Sequence, residues 1–461
     1  MQRIFFTLLV IFGSFITGWA ITQGKIKTVW GIVVVVIALP LTKFLSELSE
    51  NTRFRLLIVA VIIMPINVPM LRIPYEFTIG NLLFLGMVME SMTPYGRLYQ
   101  PDQTKYQNLS HYLPYALLIL AGFVNFVVNQ QWDVVAKYVY VCFVPLAILF
   151  LSKNSIATEK DALRFVYACL AGTMTILVVL ELALLSGNVV STAVSQASAW
   201  RFGYYTAFLG PIIIEYHPIV LTTYLAIAFP TVAVLLVREK DRIGLKLLYT
   251  VIAILFILII LRTGALGATI ASGISISIAL IVLWRYRPFA LPIMISVLLL
   301  ILVLLVDFEF ITNILDLPNE ALARYNQMTW GLWNIDNFVG RIDVMEFTFN
   351  EVMKYPIGYG FYSFWHQYGL DETVMYGAIL NGTGFVGLLG FMLIVAIIGK
   401  HFFRLVFNSI SRSQRELVAI GLGTLISGLI VGFSSESVVV DCAQPFFFWG
   451  IVLAAYRGTS D

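Results

Sequence analysis

Stretches of about 20 mainly apolar residues recur along the whole chain, and a helix of that length crosses a hydrocarbon layer while bonding its own backbone. Such runs stand at 4–21, 28–45, 54–71, 77–92, 112–128, 134–151, 163–186, 218–237, 245–261, 263–284, 289–306, 374–399, 417–433 and 443–456. Hydrophobic residues fill 59% of the 461 positions and charged residues 12%, about half the charge of a soluble domain. The pattern predicts an all-α polytopic membrane protein of about fourteen transmembrane helices. It divides into N-terminal helices (1–186), central helices with a first outer loop (187–306), a large extracytoplasmic loop (307–373) and C-terminal helices (374–461).

Charge placement orients this array. When loops are assigned alternately to two sides, 20 of the 29 Lys and Arg fall on one side and 9 on the other. The positive-inside rule makes the richer side cytoplasmic, with both termini on it and the large loop outside. A net charge of only +3 points to no nucleic-acid partner. Cys142, Cys169 and Cys442 form neither a disulfide framework nor a zinc-ligand spacing. The first run follows Arg3 as a signal peptide would, but no small-x-small cleavage site closes it, so it reads as a retained helix.

The 307–373 loop is far longer than an ordinary helix connection, and its content argues for order. It carries Trp330, Trp333, Phe338, Phe347, Phe349, Tyr355, Phe361, Trp365 and Tyr368, residue types that disordered segments lack. Within it Ile342, Met345, Phe349 and Val352 recur at helical spacing, with Arg341, Asp343, Asn350 and Lys354 between them. This predicts an amphipathic helix, ended by Pro356, that lies along the outer membrane surface.

Among the arginines on the side where topology disfavours positive charge are Arg201, Arg262 and Arg341, which lie in or beside three separate outer connections. Each alone fits an interfacial snorkelling residue or a loop salt bridge; together they fit a shared anion site. His217-Pro218 opens one apolar helix at that face, and Thr263-Gly264, directly after Arg262, is expected to open another. Two helix N-termini with several guanidinium groups would suit a diphosphate. Glu181, Glu215, Asn125 and Asn381 also fall in outer portions of their helices, and Glu215 is a candidate partner for Arg201 or Arg262.

Four stretches resemble the bacterial O-antigen ligases and the O-antigen or exopolysaccharide polymerases, over roughly Trp200 to Gly390. They are Arg201-Phe202-Gly203 with His217-Pro218; Thr263-Gly264-Ala265-Leu266-Gly267, similar to the family's Thr-Gly-Ser-Arg-Gly; Arg341 with its helix and then Pro356-Ile357-Gly358-Tyr359-Gly360; and Gly384-Phe385-Val386-Gly387. Two departures stand out. Leu266 occupies the place of the family's second-motif arginine, with Arg262 four residues earlier, and Thr373 occupies the place of the ligases' histidine, with His366 seven residues earlier. The likeness is therefore better to a polymerase than to a ligase.

The resemblance implies glycosyl transfer at the outer face of the cytoplasmic membrane, from a polyprenyl-diphosphate-linked oligosaccharide, without metal or other cofactor. Arg341, Arg201 and Arg262, with His217, would hold the diphosphate, since arginine stabilises the leaving group's growing charge. His366, Glu372 or Asp371 would take the acceptor's proton. Trp365, Tyr368 and Trp333 would stack on sugar faces, or anchor the loop at the interface. Membrane lipid and a chain-length regulator protein are the implied partners. The competing readings are a ligase acting on a lipid or protein acceptor, and a secondary transporter or flippase, against which stand the lack of internal repeats and of mid-membrane charge.

Overall fold

The computed structural model describes residues 50–63, 86–87, 113–131, 138, 141–142, 158–185, 189–191, 205–209, 212–216, 218–238, 242–263, 266–284, 292, 295, 335–361, 363, 374–408 and 411–433. Nine helices and three strands order these residues: α1 Glu50–Ile63, α2 Leu113–Asn129, α3 Glu159–Leu185, β1 Val189–Ser191, β2 Tyr205–Leu209, β3 Ile212–Tyr216, α4 Pro218–Arg238, α5 Ile243–Thr263, α6 Leu266–Trp284, α7 Ile335–Lys354, α8 Met375–Asn408 and α9 Arg412–Gly432. Six of the described helices are long and apolar enough to cross a membrane, and two shorter apolar segments lie at Phe54–Ile63 and Leu113–Asn129. The described part of the chain is thus a helical membrane protein. The expected spans at 4–21, 28–45, 77–92, 134–151, 289–306 and 443–456 lie wholly or mostly outside the described residues.

Burial separates the helices that form the centre from those that face outward. In α4, 89% of the Leu221–Arg238 window is buried, against 28% of Ile243–Ile260 in α5. Both are apolar all round, so hydrophobicity alone does not tell them apart. The outward face of α5 carries Ile243, Leu247, Leu248, Val251 and Ile254, all exposed, an apolar surface that suits lipid rather than water.

Small residues set the spacing at the centre. Helices α4 and α9 run antiparallel: Ser427 Oγ donates to the Ala226 carbonyl at 2.8 Å, and Gly423, one turn earlier in α9, meets Pro230, one turn later in α4. Near the far end of both helices, Arg238 Nε lies 3.4 Å from Glu416 Oε2. A Cβ on Gly423 would stand 2.7 Å from the Pro230 Cβ and 3.1 Å from the Ser275 carbonyl of α6, so three helices close on a position where only hydrogen fits. Without a hydrophobic force between helices in lipid, this close backbone contact is what holds them.

The end of the bundle with Glu416 is tied by polar first turns. Ser411 caps α9 in a capping box with Gln414, and its hydroxyl also donates to Glu159 Oε1 of α3 at 2.9 Å. Ser413 bonds the same carboxylate, while the buried Glu416 pairs with both Arg238 and Arg412. Hydropathy misses such turns, which is why α3 and α9 begin at Glu159 and Arg412 rather than at the expected 163 and 417.

Other boundaries differ as well. Thr263 closes α5 instead of opening the next helix, because the apolar run through Ile259 and Ile260 carries that helix on to the glycine at 264, and α6 starts at Leu266. The helix expected at 374–399 continues to Asn408. Between α3 and α4 lies an antiparallel sheet of order β1-β2-β3, with Thr206 opposite Glu215 and Tyr205 opposite Tyr216, where no strand was expected. Pro218 stands at the first position of α4, as its fixed φ and missing N–H favour.

Gly423→Ala is expected to destabilise the protein by about 1–3 kcal/mol through overpacking. Gly244→Ala, with nothing within 4 Å of the added Cβ, is the control. Thermal unfolding in detergent should lower the midpoint of the first variant and leave the second near wild type.

Candidate functional site

At the opposite end of the bundle, the segment after α7 enters the protein and is bound there by side-chain amides. Helix α7 stops at Lys354 because Pro356 disfavours helical backbone at the residue before it. The chain then turns through Gly358 and Gly360, at φ +85° and +98°, where an L side chain would be strained. A Cβ on Gly358 would sit 2.2 Å from the Asn381 carbonyl, so the turn lies directly on the backbone of α8.

Almost every polar group of this turn has a named partner. Asn125 Nδ2 of α2 donates to the carbonyls of Ile357 (2.6 Å) and Gly358 (2.9 Å). Asn129 Nδ2 adds a second donor to Gly358 O at 3.0 Å, and Gln131 Nε2 reaches Tyr359 O at 3.2 Å. Asn381 of α8 holds the other edge. Its Oδ1 accepts from Tyr359 N (3.1 Å), its Nδ2 donates to Gly360 O (2.9 Å) and to Ser363 Oγ (3.0 Å), and its carbonyl accepts from Gly360 N (2.9 Å). Asn125 and Asn381 are both fully buried. A backbone carbonyl buried without a partner costs about 1–3 kcal/mol, so these amides are what let irregular backbone lie this deep.

Asn125 is itself held in orientation. The Tyr138 hydroxyl donates to Asn125 Oδ1 at 2.5 Å, leaving the amide nitrogen to face the turn. The Tyr138 ring packs edge-on between Phe126 and Phe361, with centroids at 5.3 and 4.8 Å.

Helix α8 is broken where the turn meets it. Gly384 has φ 68° and ψ −173°, a region that is essentially glycine-only, and the released Phe385 N–H donates to Pro356 O at 3.2 Å. A Cβ there would meet the carbonyls of Pro356 and Ile357 at 2.4 and 2.6 Å. Further along, Gly387 faces Ala121 and Gly390 faces the Pro114 carbonyl and the Leu118 N–H, so α2 runs antiparallel along a glycine face of α8. Helix α7 rests on the start of α8, with Phe349 and Phe385 edge to face at 5.5 Å and Thr348 beside Gly377.

The amphipathic helix expected in the long loop is α7, but its inward face differs from the predicted stripe. Thr348 and Val352 are buried, whereas Ile342, Phe349 and Met353 are exposed. An exposed apolar stripe on a helix beside the transmembrane bundle suits the membrane interface.

Of the expected diphosphate residues, Arg341 stands on α7 two turns before Thr348, and Arg262 stands in the last turn of α5. Their side chains, and the residues Arg201, His217, Trp333, Trp365, His366, Tyr368, Asp371 and Glu372, lie outside the described residues, as do the side chains of Glu181 and Glu215. The site residues that motif reading missed are Asn129, Gln131, Tyr138 and Ser363. The sequence places Asn125 and Asn381 in the outer portions of their helices and gives them no partner there. Amides within apolar runs were the available signal, since a polar side chain is kept in such a run where something binds it.

Fold and site together define a helical membrane protein with a loop segment locked into a broken helix. No protein-family model matches the chain, and no curated protein matches it.

Gly384→Ala should cost more than Gly399→Ala, whose added Cβ meets only Leu425 at 4.0 Å. The expected penalty at Gly384 is about 2–5 kcal/mol, combining backbone strain with overpacking. The yield of monodisperse protein after detergent extraction measures the difference.

Proposed function

We propose that the chain is a polysaccharide polymerase that joins repeat units carried on a polyprenyl diphosphate at the outer face of the bacterial cytoplasmic membrane. The observation that carries the reading is the meeting of two of its sequence stretches, one of them the most specific. Pro356–Gly360 lies on the Gly384 break of α8, and the helix leading into that turn carries Arg341.

In this reading Arg341, Arg201, Arg262 and His217 bind the diphosphate. The acceptor hydroxyl oxygen attacks the anomeric carbon of the donor glycan, and the bond from that carbon to the diphosphate oxygen breaks. The proton passes to His366, Glu372 or Asp371, and the lipid diphosphate leaves with its charge held by arginine. Trp333, Trp365 and Tyr368 would receive sugar faces. The exposed stripe of Ile342, Phe349 and Met353 supports a location at the lipid surface, where a lipid-linked donor presents its headgroup.

A broken membrane helix is also a mark of secondary transporters, which use freed backbone groups to bind substrate. Here Phe385 N–H and the Asn381 carbonyl are occupied by the chain's own turn, which favours a scaffold over a transport site. A ligase differs in its acceptor and remains the nearest competitor. Loss of a polymerase leaves single repeat units, whereas loss of a ligase leaves long chains on the carrier.

Arg341→Lys is expected to remove at least about nine-tenths of polymer output, since lysine cannot reproduce a forked contact whose bonds are worth ~1.5–3 kcal/mol each. Purified protein incubated with a lipid-diphosphate oligosaccharide should yield longer glycans. Full output from Arg341→Lys, or unchanged oligosaccharide with folded, monodisperse wild-type protein, would overturn the reading.

A further inference from the structure

We infer that Asn125 and Asn381 are positioning residues, whose amides set the placement of α7 on α8 and through it the position of Arg341; the functional half of this inference rests on the polymerase reading. Three features carry it. The turn that ends α7 is bound by side chains more than two hundred residues away on α2, in addition to its own bonds from Gly358 N to Tyr355 O and from Ser363 Oγ to Gly360 O. Both asparagines are fully buried, and Asn381 satisfies groups on both sides of Gly360, so the turn cannot slide along α8 without breaking several bonds together. Between the turn and Arg341 the chain is one uninterrupted helix, Ile335–Lys354, so a shift at its end is transmitted along its length.

The packing between α7 and α8 would not supply this placement by itself. Its contacts include the edge-to-face pair of Phe349 and Phe385 and the approach of Thr348 to Gly377, beside the buried Val352. Dispersion contacts of this kind tolerate sliding, whereas hydrogen bonds fail steeply with distance and angle. Directional bonding at the turn therefore fixes the register that packing alone leaves loose.

The test uses the full chain with a disulfide reporter. The Thr348 Oγ1 lies 3.9 Å from the Cβ position of Gly377, so the pair Thr348→Cys and Gly377→Cys should cross-link rapidly on mild oxidation. Replacing Asn125 by Asp keeps its shape but puts an oxygen in place of the donating amide. Asn125→Asp should slow cross-linking and lower turnover by up to about a hundredfold, the scale that a ~1 Å misplacement of a catalytic group costs, with KM for the acceptor little changed. Oxidising the cysteine pair to completion in Asn125→Asp should restore most of the lost turnover, a rescue that general misfolding would not permit.

Should Asn125→Asp accumulate poorly, Asn129→Asp at the half-buried rim gives the same readouts in milder form. An unchanged cross-linking rate, or slowed turnover that the completed disulfide does not rescue, overturns the positioning role while leaving the polymerase reading intact. If wild-type protein never lengthens a glycan, the polymerase reading falls, and the cross-linking rate alone still decides whether the amides place α7.

Discussion

Buried amides facing backbone carbonyls are the constraint on which this end of the molecule depends. Inside a bilayer or a packed helical bundle, a non-helical segment is excluded unless its polar groups find partners. Asn125, Asn129, Gln131 and Asn381 supply those partners for Pro356–Gly360. Once the turn is accepted, the rest follows: α8 opens at Gly384 to receive it, α7 is delivered onto α8, and α2 lies along the glycine face below. At the other end the same logic is carried by charge, with Glu416 and Glu159 collecting arginine and hydroxyl groups from α4 and α9.

Between the two polar ends, shape rather than chemistry holds the helices. Gly423, Pro230 and Ser275 bring α4, α6 and α9 to backbone distance, and Ser427 adds a bond across the pair. Phe229 on Phe256 fills the wider gap to α5. The arrangement is stiff where small residues meet and leaves the outward face of α5 to its surroundings.

Hydropathy made most of the fold legible because length and apolarity are sufficient to place a membrane helix. It was blind where polarity belongs to the helix, as at Ser411–Gln414, although that spacing of a serine and a glutamine is a capping signal. The sheet was legible too: two short β-prone runs, Tyr205–Leu209 and Ile212–Tyr216, are separated by glycine and proline. At the site, the special backbone of Gly358, Gly360 and Gly384 was foreshadowed by the glycine-rich stretches. Their partners on α2 were not, since no local pattern joins positions more than two hundred residues apart.

That separation also shapes how the protein is made. Helix α2 is synthesised long before residues 356–384 leave the ribosome, so two asparagine amides must wait without the carbonyls they serve. Insertion of α8 and withdrawal of the turn into its seat then complete both halves at once. The assembly around the turn is therefore completed late in synthesis, and a chain halted before Asn381 would leave those amides without the carbonyls they serve.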